Sequence, residues 1–300
     1  MPILTDGKSG VCAHEKVPAP LVILELSLMQ RKEWFELHDH KLFPGFLRDL
    51  VTDALEAIWN RIHVYRVIAP RLHAAMEKTG TCRIVDLCSG GGGPWLRLRQ
   101  EIARMSQASV SVSFSDKYPN AQARARAHLA EGMDFFPAPV DATRIPAELV
   151  GFRTIFSSFH HFGPAEARAI LADAAAQRQG IAVFEAAKRD GLTMLATIAL
   201  PLVCWYVTPC IRPFRWSRIL WTYLLPVVPL TLLMDGVLSC LRTYSIDDLR
   251  ELAEGLGDED YCWEAGEERG PRMGITYLIG RPGACAEVTP RPAIAELSSV

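Results

Sequence analysis

The sequence predicts an α/β fold built on a mostly parallel sheet, and three observations predict it. After Gly80, short β-prone runs alternate with helical segments, the pattern of consecutive βαβ units. One junction in that series, RIVDLCSGGGGPW (83–95), carries four consecutive glycines directly after a short apolar run. Before Gly80 the pattern is helical, with apolar residues recurring three and four apart.

In chain order, residues 21–78 read as helical, with Trp34, Leu37, Leu47, Leu50, Val51, Leu55 and Ile58 at helical spacing and Pro44-Gly45 as a break. This is an N-terminal helical cap. The strand candidates that follow are 83–87, 110–115, 135–140, 153–156 and 181–184. Helices 94–106 and 164–179 lie between them, the first opening on a proline and the second followed by Gly180 as a C-cap. A markedly apolar segment, 191–241, comes next. It is followed by SIDDLRELAEGLG, where Ser245 and Asp248 have capping-box spacing, and by strand candidates 261–264 and 274–279. The expected organisation is therefore a flexible 1–20, a helical cap 21–80, a core of 81–190 plus 242–281, an apolar insertion 191–241 and a flexible tail 282–300.

Composition removes several function classes. A formal net charge of -2 gives no bulk attraction to a polyanion, and no basic patch of useful size appears, so no nucleic-acid partner is expected. The eight cysteines form no CxxC pair and no CxxC…HxxxH pattern, which argues against a zinc site and a disulfide framework and suggests free thiols of a reduced compartment. The segment MPILTDGKSGVCAHEKVPAP lacks a basic stretch followed by an apolar core and does not read as a secretory signal; a cytoplasmic location is expected.

A glycine-rich turn between a parallel strand and a helix lets a ligand approach bare backbone and meet the unpaired N–H groups of the helix N-terminus. A phosphate loop of the GxxxxGK[ST] type would need a lysine and a hydroxyl where Pro94 and Trp95 stand. The dinucleotide fingerprint GxGxxG fits poorly too, because Trp95 occupies the place of its third glycine.

The stretch resembles motif I of the class I S-adenosylmethionine-dependent methyltransferases, hh[DE]-x-G-x-G-x-G, with Asp86, Cys88, Gly90 and Gly92 at the acidic and glycine positions and cysteine replacing the first glycine. The likeness continues in order for about 200 residues. It implies a Rossmann-like seven-stranded sheet with helices on both faces, the last two strands being an antiparallel pair, and S-adenosyl-L-methionine as cofactor. By the same resemblance Asp116 in FSDKYPN, with Lys117 beside it, stands where the family holds the ribose hydroxyls. Asp141 and Ala142 in PVDATRIP stand where it meets the adenine, and Ser157 in SSFHHF lies beneath the methionine part. Ser89 belongs to the turn itself. Each acidic residue, taken singly, is as readily a helix cap or turn former.

Such cofactor chemistry needs alignment and exclusion of water, and needs a base only for an unactivated hydroxyl or an acidic carbon. His160 and His161 are the first candidates for that base, with Glu185, Tyr206 and Tyr223 behind them; either histidine could instead simply line the pocket or pack. No compact Asp/Asn/His cluster appears beyond the cofactor acids, so no metal is expected.

The excess hydropathy is concentrated in the insertion. Residues 191–211 and 219–234 contain no charge, and RPFRWSR separates them. As helices they would span about 31 Å and about 24 Å, so the first matches a bilayer core and the second falls short. A hairpin would carry Arg212, Arg215 and Arg218 to the far side against the positive-inside tendency, and prolines 201, 209, 226 and 229 interrupt both runs. The insertion is therefore expected to dip into one leaflet from the cytosolic face or to roof the substrate pocket, with the arginines and Trp205, Trp216 and Trp221 at the interface; an insertion that only packs on the core is the competing reading. The expected function is methyl transfer to a hydrophobic small-molecule or lipid-like acceptor. The alternatives are other chemistry on the same cofactor fold, or a membrane-associated binding protein with a vestigial site.

Overall fold

The computed structural model describes residues 31–283 except 33, 35, 107, 108 and 272, so the expectations for 1–20, for the start of the cap and for the tail beyond 283 lie outside the described residues. Seven strands form one sheet: β1 Arg83–Leu87, β2 Ser111–Phe114, β3 Met133–Phe135, β4 Phe152–Phe156, β5 Ile181–Glu185, β6 Tyr261–Arg269 and β7 Gly274–Pro282, in the order β3-β2-β1-β4-β5-β7-β6. β1 to β5 are parallel, while β7 runs antiparallel to both β5 and β6. This is the sheet that the resemblance implies, including its antiparallel last pair.

Helices α1 Gly45–Ile62, α2 Ala69–Thr79, α3 Trp95–Met105, α4 Ala121–Leu129 and α5 Pro164–Ala176 precede the insertion, and α10 Ile246–Ala253 follows it. The central strands are buried almost throughout because both faces are covered. Ile84 belongs to a core with Leu72 of α2, Trp95 of α3 and Phe156, whereas its neighbour Val85 turns to the opposite core with Ile170 of α5 and Leu249 of α10. Alternation at period two thus places helices on both faces.

β3 ends at Phe135 rather than running to 140, because Pro137 and Pro139 have no N–H for the ladder. β6 and β7 are longer than the apolar pattern indicates: β6 is an edge strand whose Glu264 and Glu268 both reach Arg71, a polar face that hides it from a hydrophobicity reading. The cap is not one helical run either. Around Trp34 and Leu37 the chain makes only a short 3-10 turn, Leu37–Asp39, since the N–H groups of Leu37 and His38 are held by the Asp235 carboxylate at 2.6 and 3.2 Å.

The insertion folds as α6 Gly191–Ile198, α7 Leu200–Val207, α8 Trp216–Ile219 with a π turn Leu220–Leu224, and α9 Val227–Arg242. Pro201 and Pro229 sit in first turns, and Pro226 ends the π turn, so the prolines set the helix boundaries. Among the described residues no single helix is long and apolar enough to cross a membrane; two pairs bent by 42° and 66° meet that length and composition only together. α7 and α9 pack on α1 around Leu50, Val51, Ile58, Cys204, Val207 and Leu232, a third core above the strand ends. One expectation is corrected: Arg218 is not an interfacial arginine. It is 2 % exposed and donates to the buried Asp53 of α1 at 2.9 Å, because Asp53 needs a cationic partner there. Cys82, Cys88, Cys204, Cys210 and Cys240 are free thiols, but Cys262 is disulfide-bonded, which the spacing of the cysteines did not mark.

Candidate functional site

The strand order reverses between β1 and β4, and in an open α/β sheet the crevice at the carboxyl ends of two such strands is where ligands bind. The glycine turn leaves β1 on one side of that crevice, and the SSFHHF segment leaves β4 on the other.

The turn is a succession of left-handed residues: Cys88 at φ +55°, Gly90 at +51°, Gly92 at +109° and Gly93 at +54°. A residue with a Cβ resists that region, so the glycines are needed, and Cys88 adopts it against its preference. Ser89 ties the turn down, its N–H donating to the Ser115 carbonyl at 3.0 Å and its hydroxyl to the Asp86 carbonyl at 2.8 Å. A Cβ on Gly92 or Gly93 would meet nothing within 4 Å, so this side of the turn is open. Gly91 has a different reason to be glycine: a Cβ there would stand 2.7 Å from the Thr52 carbonyl oxygen, so it admits α1 against the turn.

Asp86 is the last residue but one of β1, Asp116 stands two residues after β2, and Asp141 lies in the loop that follows β3. Asp86 is 2 % exposed and accepts the Thr154 hydroxyl across the β1/β4 gap at 2.7 Å; burial pushes its carboxyl up to about 7. Asp116 accepts the Gly90 N–H and the Tyr118 N–H, both at 2.7 Å, and burial raises its pKa against those hydrogen bonds. Asp141 is partly exposed, and Lys117 at 2.9 Å with Thr143 holds its carboxyl down at about 2. Ala142 is buried beside it. The Val140 N–H donates to the Asp116 carbonyl at 2.9 Å, which joins the second and third of these segments.

Across the crevice, Ser157 is itself left-handed at φ +42° and its hydroxyl meets the Tyr65 hydroxyl at 2.5 Å. His160 and Glu185 are both buried, and they engage each other: Glu185 accepts the Phe159 N–H at 2.8 Å and lies 2.8 Å from His160 Nδ1. Burial alone would lower the His160 pKa, but Glu185 and then Glu36, 3.2 Å from Nε2, raise it to about 10. His161 is half-buried, with Nδ1 2.5 Å from Asp39 and Nε2 3.7 Å from Glu36. Tyr206 and Tyr223 lie elsewhere, the first beside Arg61 and the second on the Trp205 carbonyl.

Sequence reasoning missed half of this cluster. Glu36, His38 and Asp39 come from the turn before α1, and Asp235, Ser239 and Arg242 come from α9. Glu36 is 1 % exposed and accepts the Ser239 hydroxyl at 2.9 Å; His38 Nδ1 is 2.7 Å from Asp235; Arg242 is 3.6 Å from Asp39. The HDH run at 38–40 and the HH pair at 160–161 were the only available signals, and nothing in the sequence says that they meet. Contrary to the expectation of no compact metal-ligand cluster, ligand atoms of Glu36, His38 and His161 lie within 4.8 Å of one another. The cluster adjoins Asp86, Asp116 and Asp141, since Asp39 acts with them on the Cys88 thiol and His161 acts on Asp116.

No known protein family's sequence profile matches the chain, and no characterised protein matches it in sequence. In fold it is similar to human N-acetylserotonin methyltransferase in complex with S-adenosylmethionine, at 14% identity and a TM-score of 0.47, over 80% of this chain and 57% of that one. It is also similar to the plantazolicin methyltransferase BamL, at 12% identity and a TM-score of 0.46 over 79% and 98% of the two chains. A third similar structure is the complex of LepI with S-adenosylmethionine, at 16% identity and a TM-score of 0.39 over 66% and 42%. The chain thus spans little more than half the length of the first, and scores of this size carry no chemistry across to it.

Proposed function

We propose that the protein is an enzyme that transfers a methyl group from S-adenosyl-L-methionine to a hydrophobic small-molecule or lipid-like acceptor. The observation that carries this reading is the placement of Asp86 in β1, Asp116 just after β2 and Asp141 in the loop after β3, joined through Asp116 to a glycine turn whose Gly92 and Gly93 face open space. The residues fit the cofactor: Asp116 would hold the ribose hydroxyls, Asp141 and Ala142 the adenine, and the turn with Ser157 the amino-acid part. The cofactor supplies a methyl on a sulfonium, already activated for transfer. The chain's own contribution is to align the acceptor with that methyl and to exclude water. His160 and Glu185 bind each other and support the segment that carries His161. His161 keeps Nε2 open and is the group of this cluster that meets the acceptor.

The apolar insertion supports an apolar acceptor. α6 to α9 expose Leu192, Leu195, Leu202, Trp216 and Leu224 at 64 to 78 %. A patch of this kind marks an interaction surface. We read it as a contact with the cytosolic face of a membrane, from which a lipid-like acceptor would enter.

The test is transfer of tritium from methyl-labelled S-adenosylmethionine into organic-extractable product from host lipid extracts. Labelled product lost on Gly92→Val supports the reading. Cofactor binding by calorimetry with no label transferred to any extract would favour other chemistry on the same fold, and no cofactor binding would refute the assignment.

A further inference from the structure

We propose that Glu36, His38 and His161 bind a divalent first-row transition-metal ion. Ligand atoms of the three lie within 4.8 Å of one another, on the turn before α1 and on the segment after β4. Two imidazoles and one carboxylate form a donor set suited to such ions, with coordination positions left over.

The surroundings are those of a metal site. Metal-binding histidines usually have the ring nitrogen that does not bind fixed by a carboxylate. Here Nδ1 of His38 is 2.7 Å from Asp235 and Nδ1 of His161 is 2.5 Å from Asp39, leaving Nε2 of each ring for another partner. Those Nε2 atoms have no hydrogen bond. For His161 the nearest carboxylate oxygen, on Glu36, is 3.7 Å away, and for His38 the nearest, on Asp39, is 3.8 Å away. Both gaps exceed hydrogen-bond length. The His161–Glu36 gap approaches the separation of two ligands sharing one ion at about 2.0–2.2 Å from each, and His38, whose ring comes within 3.9 Å of Glu36 Oε2, keeps a ligand atom within 4.8 Å of both.

An independent observation comes from His160. It is 1 % exposed, and its Nε2 lies 3.2 Å from Glu36 Oε1 without good hydrogen-bonding geometry, so a third buried imidazole is aimed at the same carboxylate. Charge points the same way. The carboxylates of Glu36, Asp39, Glu185 and Asp235 are gathered here, and the guanidinium that reaches them is Arg242, 3.9 Å from Glu36 and 3.6 Å from Asp39. Outside the proposed ligands, the Arg242 guanidinium and the His160 ring held between Glu185 and Glu36 face four carboxylates in a buried site, and a divalent ion would reduce the remaining deficit. An ion at this place would carry His161's contact with the acceptor, because the cluster lies against the cofactor acids.

The full-length protein, stripped with chelator and kept free of S-adenosylmethionine, is titrated with Co2+ and separately with Zn2+. One ion per chain is expected, with visible Co2+ absorption that Zn2+ displaces. His38→Gln and His161→Gln should each weaken Co2+ binding by at least about 10-fold, and Asp39→Asn, which frees Nδ1, by about 10-fold. X-ray absorption on the Co2+-loaded wild type decides the matter where a variant fails to fold, two imidazoles supporting the proposal and a shell without imidazole overturning it. Absence of binding by folded wild type, or binding untouched by both histidine variants, also overturns it. These readouts involve no methyl transfer, so their failure would leave the methyltransferase reading standing.

Discussion

The Asp116 carboxylate accepts the backbone N–H of Gly90 at 2.7 Å, so the end of β2 fixes the conformation of the glycine turn that follows β1. The same carboxylate also binds the Tyr118 N–H, which aims it without a side-chain partner. Asp116→Ala should therefore act twice, loosening the turn and removing the group assigned to the ribose. Affinity for S-adenosylmethionine should fall by about 10- to 100-fold, the loss of one charged hydrogen bond of about 1.5–3 kcal/mol. Calorimetry beside Asp141→Ala checks it. Unchanged affinity in the first with loss in the second would move the ribose away from β2.

Gly91 offers a test of the turn that does not involve a ligand. A Cβ there would lie 2.7 Å from the Thr52 carbonyl oxygen and 3.2 Å from Glu56 Cβ, and the backbone oxygen of a helix cannot step aside cheaply. Gly91→Ala should destabilise the protein by about 1–3 kcal/mol through displacement of α1. Denaturant unfolding measures this, and a shift below about 0.5 kcal/mol would show that α1 docks with slack.

Asp86 sets a pH dependence. Its folded pKa of about 7 lies above the ordinary carboxylate value because burial penalises the charge, so between about pH 4 and pH 7 the folded state binds a proton that the unfolded chain has released. Its contribution to stability is therefore greatest below about pH 4, declines as pH rises, and is lowest above about pH 7. Asp86→Asn keeps an acceptor for Thr154 and removes the titration. The stability of the variant relative to wild type should rise by a few kcal/mol between pH 5 and pH 8, at about 1.4 kcal/mol per pKa unit. A constant difference across that range would refute the assignment.

The sheet was legible in the sequence because it depends on local pattern. Ile84, Val85 and Leu87 of RIVDL form a short apolar run, and the glycines and Pro94 mark its exit, so β1 was found to the residue. Strand ends were misplaced where main-chain chemistry outweighed hydropathy, as at Pro137 and Pro139, or where an edge strand carries charges, as in β6. The three acids were found because each lies within a strand or in the segment that leaves one. Glu36, His38 and Asp235 were not, since they lie almost 200 residues apart and meet only when α9 closes over the strand ends. Arg218 was misassigned for a related reason: an arginine between two apolar runs suggests an interface until its partner, Asp53 on a distant helix, is seen.

The insertion gives the last prediction. Its inner side is fixed to α1 by the Arg218–Asp53 pair and by the core around Cys204 and Leu232, while its outer side presents Leu192, Leu195, Leu202, Tyr206 and Trp216. Helices bent by 42° and 66° at their breaks shape such a face to lie along a surface. With Arg218 turned inward, Arg212 and Arg215 remain for anionic headgroups, each worth about 1 kcal/mol near the surface. Binding to anionic vesicles in a flotation assay should therefore weaken only modestly with salt and persist at high salt through the apolar face. Leu195→Glu with Leu202→Glu should abolish the salt-resistant part and leave the folded state intact, because both side chains are 64 % exposed. Full retention of vesicle binding by that double variant would exclude this face as the membrane contact. Labelling of Arg215→Cys by an impermeant thiol reagent from the far side of the vesicle would show instead that the segment crosses.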